Sequence, residues 1–296
     1  MLFNVVNFVT GSSKHLLELQ TTHDIEVGNS VASGERETGK GLNQIGNLQQ
    51  SGSTRWSSHF NCVCSLIDKF VSLIIVLKSI NNCSLSSNSM RGEARGFSKT
   101  LKSFDFLFVL NLMHKIIGLT GLLCRSLQSK SIDILNAINL VATTKELLQS
   151  LRDEGFDVLL DYVMSVCAKY KIDVPDMNAR YVDNFRSVRQ INGISVEHHY
   201  HYDVFIYAIN FQLEELHYRF NDNTVQLLRL SSSLEPQNNF ELFDMGNICT
   251  LATIFYPADF EQQEMYHLKL QLEHYKIDVV NHARFQNLST LFDLCV

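Results

Sequence analysis

The segment STRWSSH, residues 53–59, carries the side chains of the sequence best suited to contact a nucleic acid. Arg55 has a guanidinium that can hold a phosphate, and Trp56, the only tryptophan, has a ring that can stack on an exposed base. The other interpretation is structural: the tryptophan packs in a core and the arginine pairs or caps a helix. The residues alone leave both readings open.

Two other groups of residues invite a metal or catalytic reading. Residues 197–203 (EHHYHYD) contain three histidines, and Cys62 and Cys64 lie two apart. Zinc uses such ligands, but neighbouring residues of a helix point apart, and no second Cys or His pair has the required spacing. We therefore expect packing roles for both groups and no metal or cofactor.

Paired carboxylates are the remaining candidates for catalysis. Asp157 and Asp161 are four apart, and Glu214 and Glu215 are adjacent, a spacing that acid–base chemistry can use. No nucleophile accompanies either pair, and the glycines at 39 and 41 lack the Lys-Ser/Thr ending of a phosphate-binding loop. We expect solvated carboxylates and no catalytic residues.

The composition is that of an ordinary globular protein. The 296 residues are 45% hydrophobic with 3 prolines, and the formal charge is −6, so any DNA contact requires a local basic patch. Seven scattered cysteines indicate a reducing compartment, and no signal peptide is evident. Residues 104–124 are long enough to cross a membrane, but Asn111, His114 and Lys115 favour a buried helix.

Hydrophobic periodicity predicts an all-α fold without strands. Gly11 should weaken the first helix, Ser57 or Ser58 should cap another, Gly155 should separate two helices, and Glu215 should pair with Arg219. The predicted helices cover residues 4–19, from 57 or 58 to 74, 101–126, 132–151, 156–170, 204–220, 224–230, 240–255, 259–274 and 283–294. The predicted breaks cover residues 21–54, 81–98 and 174–195.

Several motifs, in order along nearly the whole chain, resemble those of hAT-superfamily transposase-like proteins, often labelled in plants as zinc-finger MYM-type 1-like or general-transcription-factor-2-related. The motifs are residues 41–46 (GLNQIG), 53–59 (STRWSSH), 90–96 (MRGEARG), 99–104 (KTLKSF), 133–137 (DILNA), 172–181 (IDVPDMNARY), 197–205 (EHHYHYDVF) and 255–260 (FYPADF).

The resemblance implies an RNase H-like core interrupted by a large helical insertion. It assigns residues 1–58 to a remnant of that core with a Gly-rich loop, and residues 59–296 to the insertion. The family's three metal-binding catalytic acids fall outside the matched region. In the family, the pair matched by Arg55 and Trp56 lies near the catalytic centre, where its Trp handles a flipped base.

We therefore expect a non-catalytic, transposase-derived nuclear protein that binds DNA, another protein or itself, and no membrane. The alternative is a helical protein-interaction module, or a decayed gene fragment, with no nucleic-acid role.

Overall fold

The computed structural model describes residues 2–34, 48, 56–129, 134–182, 193–236, 240–280, 282, 285 and 288. Throughout these residues the fold is helical, without a strand and with one isolated antiparallel bridge between Arg180 and Ser195. The predicted fold class, mainly α, is confirmed. The division at residue 58 stays a prediction.

The described residues form twelve α-helices, one π-helix and one 3₁₀ turn. They are α1 (Leu2–Thr10), α2 (Ser13–Ala32), α3 (Trp56–Asp68), α4 (Phe70–Asn82), α5 (Asn88–Leu101), α6 (Phe104–Leu127), α7 (Ile134–Tyr170), α8 (Val196–His198), a π-helix (His199–Ile206), α9 (Tyr207–Arg219), α10 (Asp222–Ser231), a 3₁₀ turn (Ser232–Leu234), α11 (Met245–Phe255) and α12 (Gln262–Val280).

The chain divides into two compact units. The first contains Met1–Gly121 and Ser150–Ile209, and the second contains Leu122–Gln149 and Asn210–Val296. In the first unit α2 packs on α1 and α4, and α5 packs on α4. In the second, α11 packs on both α10 and α12.

An aromatic cluster forms the centre of the first unit. Phe108 is fully buried, and its ring lies 4.9 Å from that of Tyr200 and 6.3 Å from that of Phe156. Phe104 meets Tyr200 edge-on at 4.9 Å, and Phe205 meets Phe156 edge-on at 5.6 Å. Such tilted contacts are the favoured geometry for aromatic pairs, so the cluster fixes α6, α7 and the π-helix together.

In the second unit, polar and aromatic contacts join segments that are far apart in the sequence. The Glu235 carboxylate accepts a hydrogen bond from the backbone N–H of Ile134 at 3.1 Å, and Lys145 donates to the Phe220 carbonyl at 3.1 Å. The Tyr275 ring lies 5.9 Å from Phe240 and 5.7 Å from Phe243. These contacts attach the connecting segments to the α7 and α12 helices.

α6 matches the prediction of an apolar central helix. It is the one described helix long and apolar enough by itself to cross a membrane, and 56% of its most apolar window is buried inside the fold. The consecutive helices α3 and α4, which meet at 73°, pass the same test only as a pair. Buried core helices of globular proteins have this composition, and the expected absence of membrane contact stays a prediction.

The predicted break at 21–54 is wrong at its start, because α2 continues to Ala32. Its buried positions His15, Leu19 and His23 are spaced by four, and His23 pairs with Asp68 at 3.1 Å. Two of these three residues are histidines, so a search for apolar side chains does not find the stripe. The predicted weakness at Gly11 is confirmed, because α1 ends at Thr10 and α2 begins at Ser13.

The predicted break at 81–98 is also wrong, because α5 occupies Asn88–Leu101. The Ser87 side chain caps the helix by accepting a hydrogen bond from the Met90 N–H at 3.2 Å. Ala94 and Leu101 are fully buried against the fold. The cap, the two buried side chains and the Phe97 ring, 5.2 Å from the Phe8 ring, hold a helix whose remaining residues are mostly polar.

The predicted separation at Gly155 is wrong, since α7 runs unbroken from Ile134 to Tyr170. A Cβ at Gly155 would lie 3.3 Å from Leu151 Cγ and 3.4 Å from Phe205 Cζ. The glycine therefore gives room for close packing of the π-helix on α7 and does not end the helix.

The predicted helix from 57 or 58 to 74 is wrong as a single element, because α3 ends at Asp68 and α4 runs from Phe70 to Asn82. Other boundaries are shifted. α3 begins at Trp56, so Ser57 and Ser58 lie in its first turn and neither is the predicted N-cap. Helical structure returns at Val196, where Ser195 caps it, and not at 204 as predicted. The predicted break at 174–195 is non-helical where described, and most of the predicted helix at 283–294 lies outside the described residues.

Candidate nucleic-acid interface

Of the two predicted contact residues, the structure describes Trp56. Arg55 is outside the described residues, and Trp56 is the first residue of the helix, where the structure describes the backbone and not the side chain. Their role in contacting DNA therefore stays a prediction.

The first turns of α3 are held against α6 by an aromatic stack. The Phe60 ring lies parallel to the His114 ring, with centroids 5.7 Å apart and an interplanar angle of 12°. Burial lowers the pKa of His114, and the neighbouring Lys115 lowers it further, so the ring is neutral at physiological pH. A neutral imidazole can pack face to face with phenylalanine without the cost of burying a charge.

A row of basic side chains runs along α5. Arg91, Arg95 and Lys99 are each four residues apart, so they share one face of the helix, and Lys102 follows at the helix C-cap. Arg95, Lys99 and Lys102 are exposed, and Arg91 is half-buried. We call these four residues the basic row.

The basic row extends along the helix over a useful length. At about 1.5 Å rise per residue, Arg91 and Lys99 are separated by roughly 12 Å along the helix axis. Duplex DNA carries one phosphate charge about every 1.7 Å of its axis, so several phosphates fall within reach of a row of this length. The arrangement is suited to a polyanionic backbone and carries no base-specific pattern.

α5 orients the row through its buried side. Ala94 and Leu101, on the adjoining face, are fully buried, and α5 packs against α4. The Arg91 guanidinium donates a hydrogen bond to the side-chain oxygen of Asn88. Lys99, in the last turn, also interacts favourably with the negative end of the helix dipole.

Two glycines lie beside the basic row on the exposed side. A Cβ added at Gly92 or Gly96 would meet no atom within 4 Å. The helix backbone is therefore bare next to the cationic side chains, which allows a bulky chain to approach it closely. The glycines also weaken the helix, by roughly 1 kcal/mol each relative to alanine.

The charge of α5 contrasts with that of the chain. The whole sequence has 25 basic and 31 acidic residues, whereas α5 has three basic residues and one acid, Glu93. Glu93 accepts a hydrogen bond from Ser89 at 3.2 Å. A local positive potential in an otherwise acidic protein attracts anions to one place. The basic row is therefore a local basic patch of the kind that DNA contact by this acidic chain would require.

The basic row lies within the motifs at 90–96 and 99–104, but Arg91 and Arg95 fall in the predicted break at 81–98 and Lys102 in the predicted helix at 101–126. The signal was present in the four-residue spacing of Arg91, Arg95 and Lys99. It was missed because helix detection relied on apolar periodicity, and α5 contributes few apolar side chains to the core.

The histidine-rich segment forms most of an eight-residue π-helix, His199–Ile206. The His201 ring stacks on Phe156 at 4.1 Å, and the His199 ring stacks on Tyr181 at 3.8 Å. His199 Nδ1 also lies 3.1 Å from the Asp203 carboxylate. The packing role expected for these histidines is supported by the two stacks.

Tyr200, within the same π-helix, is the most perturbed titrating group among the described residues. Its hydroxyl donates a hydrogen bond to the Asp105 carboxylate in the first turn of α6. Burial raises the pKa of Tyr200 well above its ordinary value, and the bond to Asp105 raises it further. The hydroxyl therefore stays protonated and serves as a structural donor.

The other candidates from the sequence are dispersed. Cys62 is buried and Cys64 half-buried, Asp157, Asp161 and Glu214 are exposed, and Glu215 pairs with Arg219 at 3.0 Å as predicted. Across the part of the chain that the structure describes, no three His, Cys, Asp or Glu side chains are grouped to hold a metal ion.

No protein-family model matches the chain, and no solved structure matches it. The resemblance to hAT-type transposases is carried by the sequence motifs alone.

Proposed function

We propose that this chain is a helical, transposase-derived protein of the hAT type that binds nucleic acid through its backbone phosphates without cutting it. The observation that carries the proposal is the basic row on α5, which concentrates positive charge on one exposed helix face of an acidic protein. Its nuclear location follows from a DNA partner. Cleavage is not proposed, because the matched motifs do not include the family's catalytic acids.

The resemblance gives the basic row a context. The motifs at 90–96 and 99–104 contain Arg91, Arg95, Lys99 and Lys102, and the motif at 53–59 contains Arg55 and Trp56. The two groups of residues suit different parts of a nucleic acid. Arginines and lysines in a row hold phosphates, and a tryptophan stacks on a base. In the finer form of the proposal, residues 59–296 belong to the helical insertion of an RNase H-like transposase, and residues 1–58 are a remnant of its core.

Binding of a fluorescent DNA duplex, followed by anisotropy at about 50 mM salt, tests the proposal. Arg95→Ala/Lys99→Ala should weaken binding roughly 100-fold, because two phosphate contacts are lost at low salt. The matched control is Lys269→Ala/Lys276→Ala, which removes two exposed lysines from α12. Arg55→Ala/Trp56→Ala tests the residues predicted from the sequence.

The control separates a local site from a general charge effect. Equal weakening by the α5 and α12 pairs would show that net charge alone drives binding. Absence of binding by the wild-type chain at low salt would refute the nucleic-acid role, because phosphate contacts are strongest there.

The second candidate function is association with a protein partner or with another copy of the chain. It is favoured by an apolar row on α12, where Tyr266 and Ile277 are 64% and 67% exposed and Leu270 lies between them at 40%. Exposed apolar residues on one helix face are typical of interaction surfaces. Sedimentation velocity of the wild type and Tyr266→Ser/Ile277→Ser tests self-association, which the double variant should abolish.

A further inference from the structure

A cavity of about 290 Å³ lies in the first unit at the bend between α3 and α4, where residues of α6 and α7 complete its lining. The two helices meet at 73°, and Ile67 and Phe70, on either side of the bend, both line the cavity. No residue of the basic row lines it, so the cavity is separate from the surface proposed to bind nucleic acid. Because a water molecule occupies about 30 Å³ of liquid, the space suits a molecule of roughly ten non-hydrogen atoms.

The most buried part of the lining is apolar and aromatic. Phe70, Leu107 and Leu110 line the cavity and are each at most 3% exposed. The Tyr170 ring, which also lines it, lies 5.3 Å from the Phe70 ring at an interplanar angle of 45°. A third aromatic ring packs well against two tilted rings, so this lining favours a flat, apolar ring as the occupant.

Asn111 is the polar side chain of the buried lining. The residue is only 7% exposed, and its amide nitrogen donates a hydrogen bond to the Leu107 carbonyl, one turn earlier in α6, at 2.8 Å. That carbonyl is an acceptor, which fixes the amide with its nitrogen toward the helix backbone.

The amide oxygen of Asn111 is left for a ligand. It has no hydrogen-bond partner among the described residues, and it is not one of the atoms closed off from solvent, so a molecule in the cavity can reach it. A buried acceptor without a partner is unfavourable. A hydrogen-bond donor at the inner end of the occupant would therefore be bound in preference to an apolar group.

The outer part of the lining carries a positive charge. Lys169 is exposed, and its ammonium nitrogen lies 6.0 Å from the centroid of the Tyr170 ring. Tyr162, which also lines the cavity, is 50% exposed, so this side is open to solvent. An ammonium group has three N–H donors, and it can hold a carboxylate in addition to its other contacts.

We propose that the cavity binds a small, single-ring aromatic acid with a hydroxyl on the ring, of the hydroxyphenylacetate class. The ring lies against Phe70 and Tyr170. The ring hydroxyl donates a hydrogen bond to the amide oxygen of Asn111, and the carboxylate, at the other end of the molecule, is held by Lys169. A donor, a flat apolar ring and an anion thus follow one another from the inside of the cavity to the solvent.

The test is titration of the full chain with 4-hydroxyphenylacetate and with phenylacetate, followed by saturation-transfer NMR of each acid. The wild type should bind 4-hydroxyphenylacetate about tenfold more tightly, because phenylacetate leaves the Asn111 oxygen without a donor. Asn111→Leu should bind the two acids equally. Equal binding of both acids by the wild type, or no binding of either at millimolar concentration, would overturn the proposal.

Val166→Phe keeps the test valid if Asn111→Leu disturbs folding. Val166 is a half-buried residue of the lining, and a phenylalanine there fills part of the space. This variant should lose binding of both acids, with an unchanged circular dichroism spectrum as evidence that it is folded. A folded Val166→Phe variant that binds both acids like the wild type would place the ligand elsewhere and refute the proposal.

A charge comparison tests the contact with the carboxylate. Lys169→Gln should weaken binding of 4-hydroxyphenylacetate several-fold and leave binding of the neutral 4-hydroxyphenylethanol unchanged, because the alcohol has no carboxylate. Lys269→Gln, at an exposed position of α12, is the matched control and should change neither. Equal effects of Lys169→Gln and Lys269→Gln on the acid would contradict the assignment of an aromatic acid as the ligand.

Discussion

Replacing Gly92 and Gly96 with alanine should stabilise the protein, because both glycines lie within α5 on its exposed side. An added Cβ meets no atom within 4 Å at either position, so no contact is lost and no clash is made. Alanine is favoured over glycine in an exposed helix interior by roughly 0.8–1 kcal/mol. The double variant should therefore gain about 1.5–2 kcal/mol in the free energy of unfolding.

Thermal unfolding, followed by the far-ultraviolet circular dichroism of the helices, measures this gain in stability. For a domain of this size, about 1 kcal/mol shifts Tm by roughly 2–4 °C, so the expected shift is about 3–8 °C. Gly155→Ala is the matched control, because its Cβ would lie 2.5 Å from Leu151 Cδ1 and 3.4 Å from Phe205 Cζ, so the Leu151 side chain would have to move. It should give no gain.

An unchanged or lower Tm for the Gly92→Ala/Gly96→Ala variant would refute the reasoning. It would mean that residues 92–96 are not in a solvent-exposed helix, and the basic row, which depends on helical spacing, would lose its basis.

Two further predictions concern the core of the first unit. Phe108→Ala removes a fully buried ring that contacts Phe156 and Tyr200. The free energy of unfolding, measured in urea, should fall by about 3–5 kcal/mol. A loss under about 1 kcal/mol would mean that the aromatic cluster is not central to the fold. The pKa of Tyr200 in the folded state is raised above its ordinary value of 10.0. The contribution of its protonated hydroxyl to the free energy of unfolding is therefore complete below pH 10.0 and is lost as the pH rises above that value. Urea midpoints from about pH 8 to pH 11 should therefore fall more steeply for the wild type than for Tyr200→Phe, and parallel curves would contradict the assignment.

The sequence predicted the helices that bury many apolar side chains. α6 and the second half of α7 were found because leucines, isoleucines and phenylalanines recur at helical spacing. The Glu215–Arg219 pair, at 3.0 Å, followed from the same geometry. Local patterns were sufficient wherever the core is formed by conventional apolar residues.

Helices held by other means were missed. The second half of α2 is fixed by His23, which is 5% exposed and pairs with Asp68, a residue 45 positions later in the sequence. α5 is held by the Ser87 cap and two buried side chains. Hydrophobic periodicity along one segment does not show a contact with a distant segment or a single capping side chain.

The candidate site was predicted in part. The requirement for a local basic patch came from the net charge, but its position on α5 became evident only once the residues were known to be helical. The π-helix was likewise hidden, since its sequence is compatible with an ordinary helix.

The salt dependence of DNA binding tests the central claim most directly. If all four residues of the basic row contact phosphates of B-DNA, the logarithm of the association constant should fall against the logarithm of salt concentration with a slope of about −3.6. Removing two contacts with Arg95→Ala/Lys99→Ala should reduce the slope to about −1.8, while Lys269→Ala/Lys276→Ala should leave it near the wild-type value. Identical slopes for the wild type and the α5 variant would contradict the claim that the basic row holds the nucleic-acid backbone.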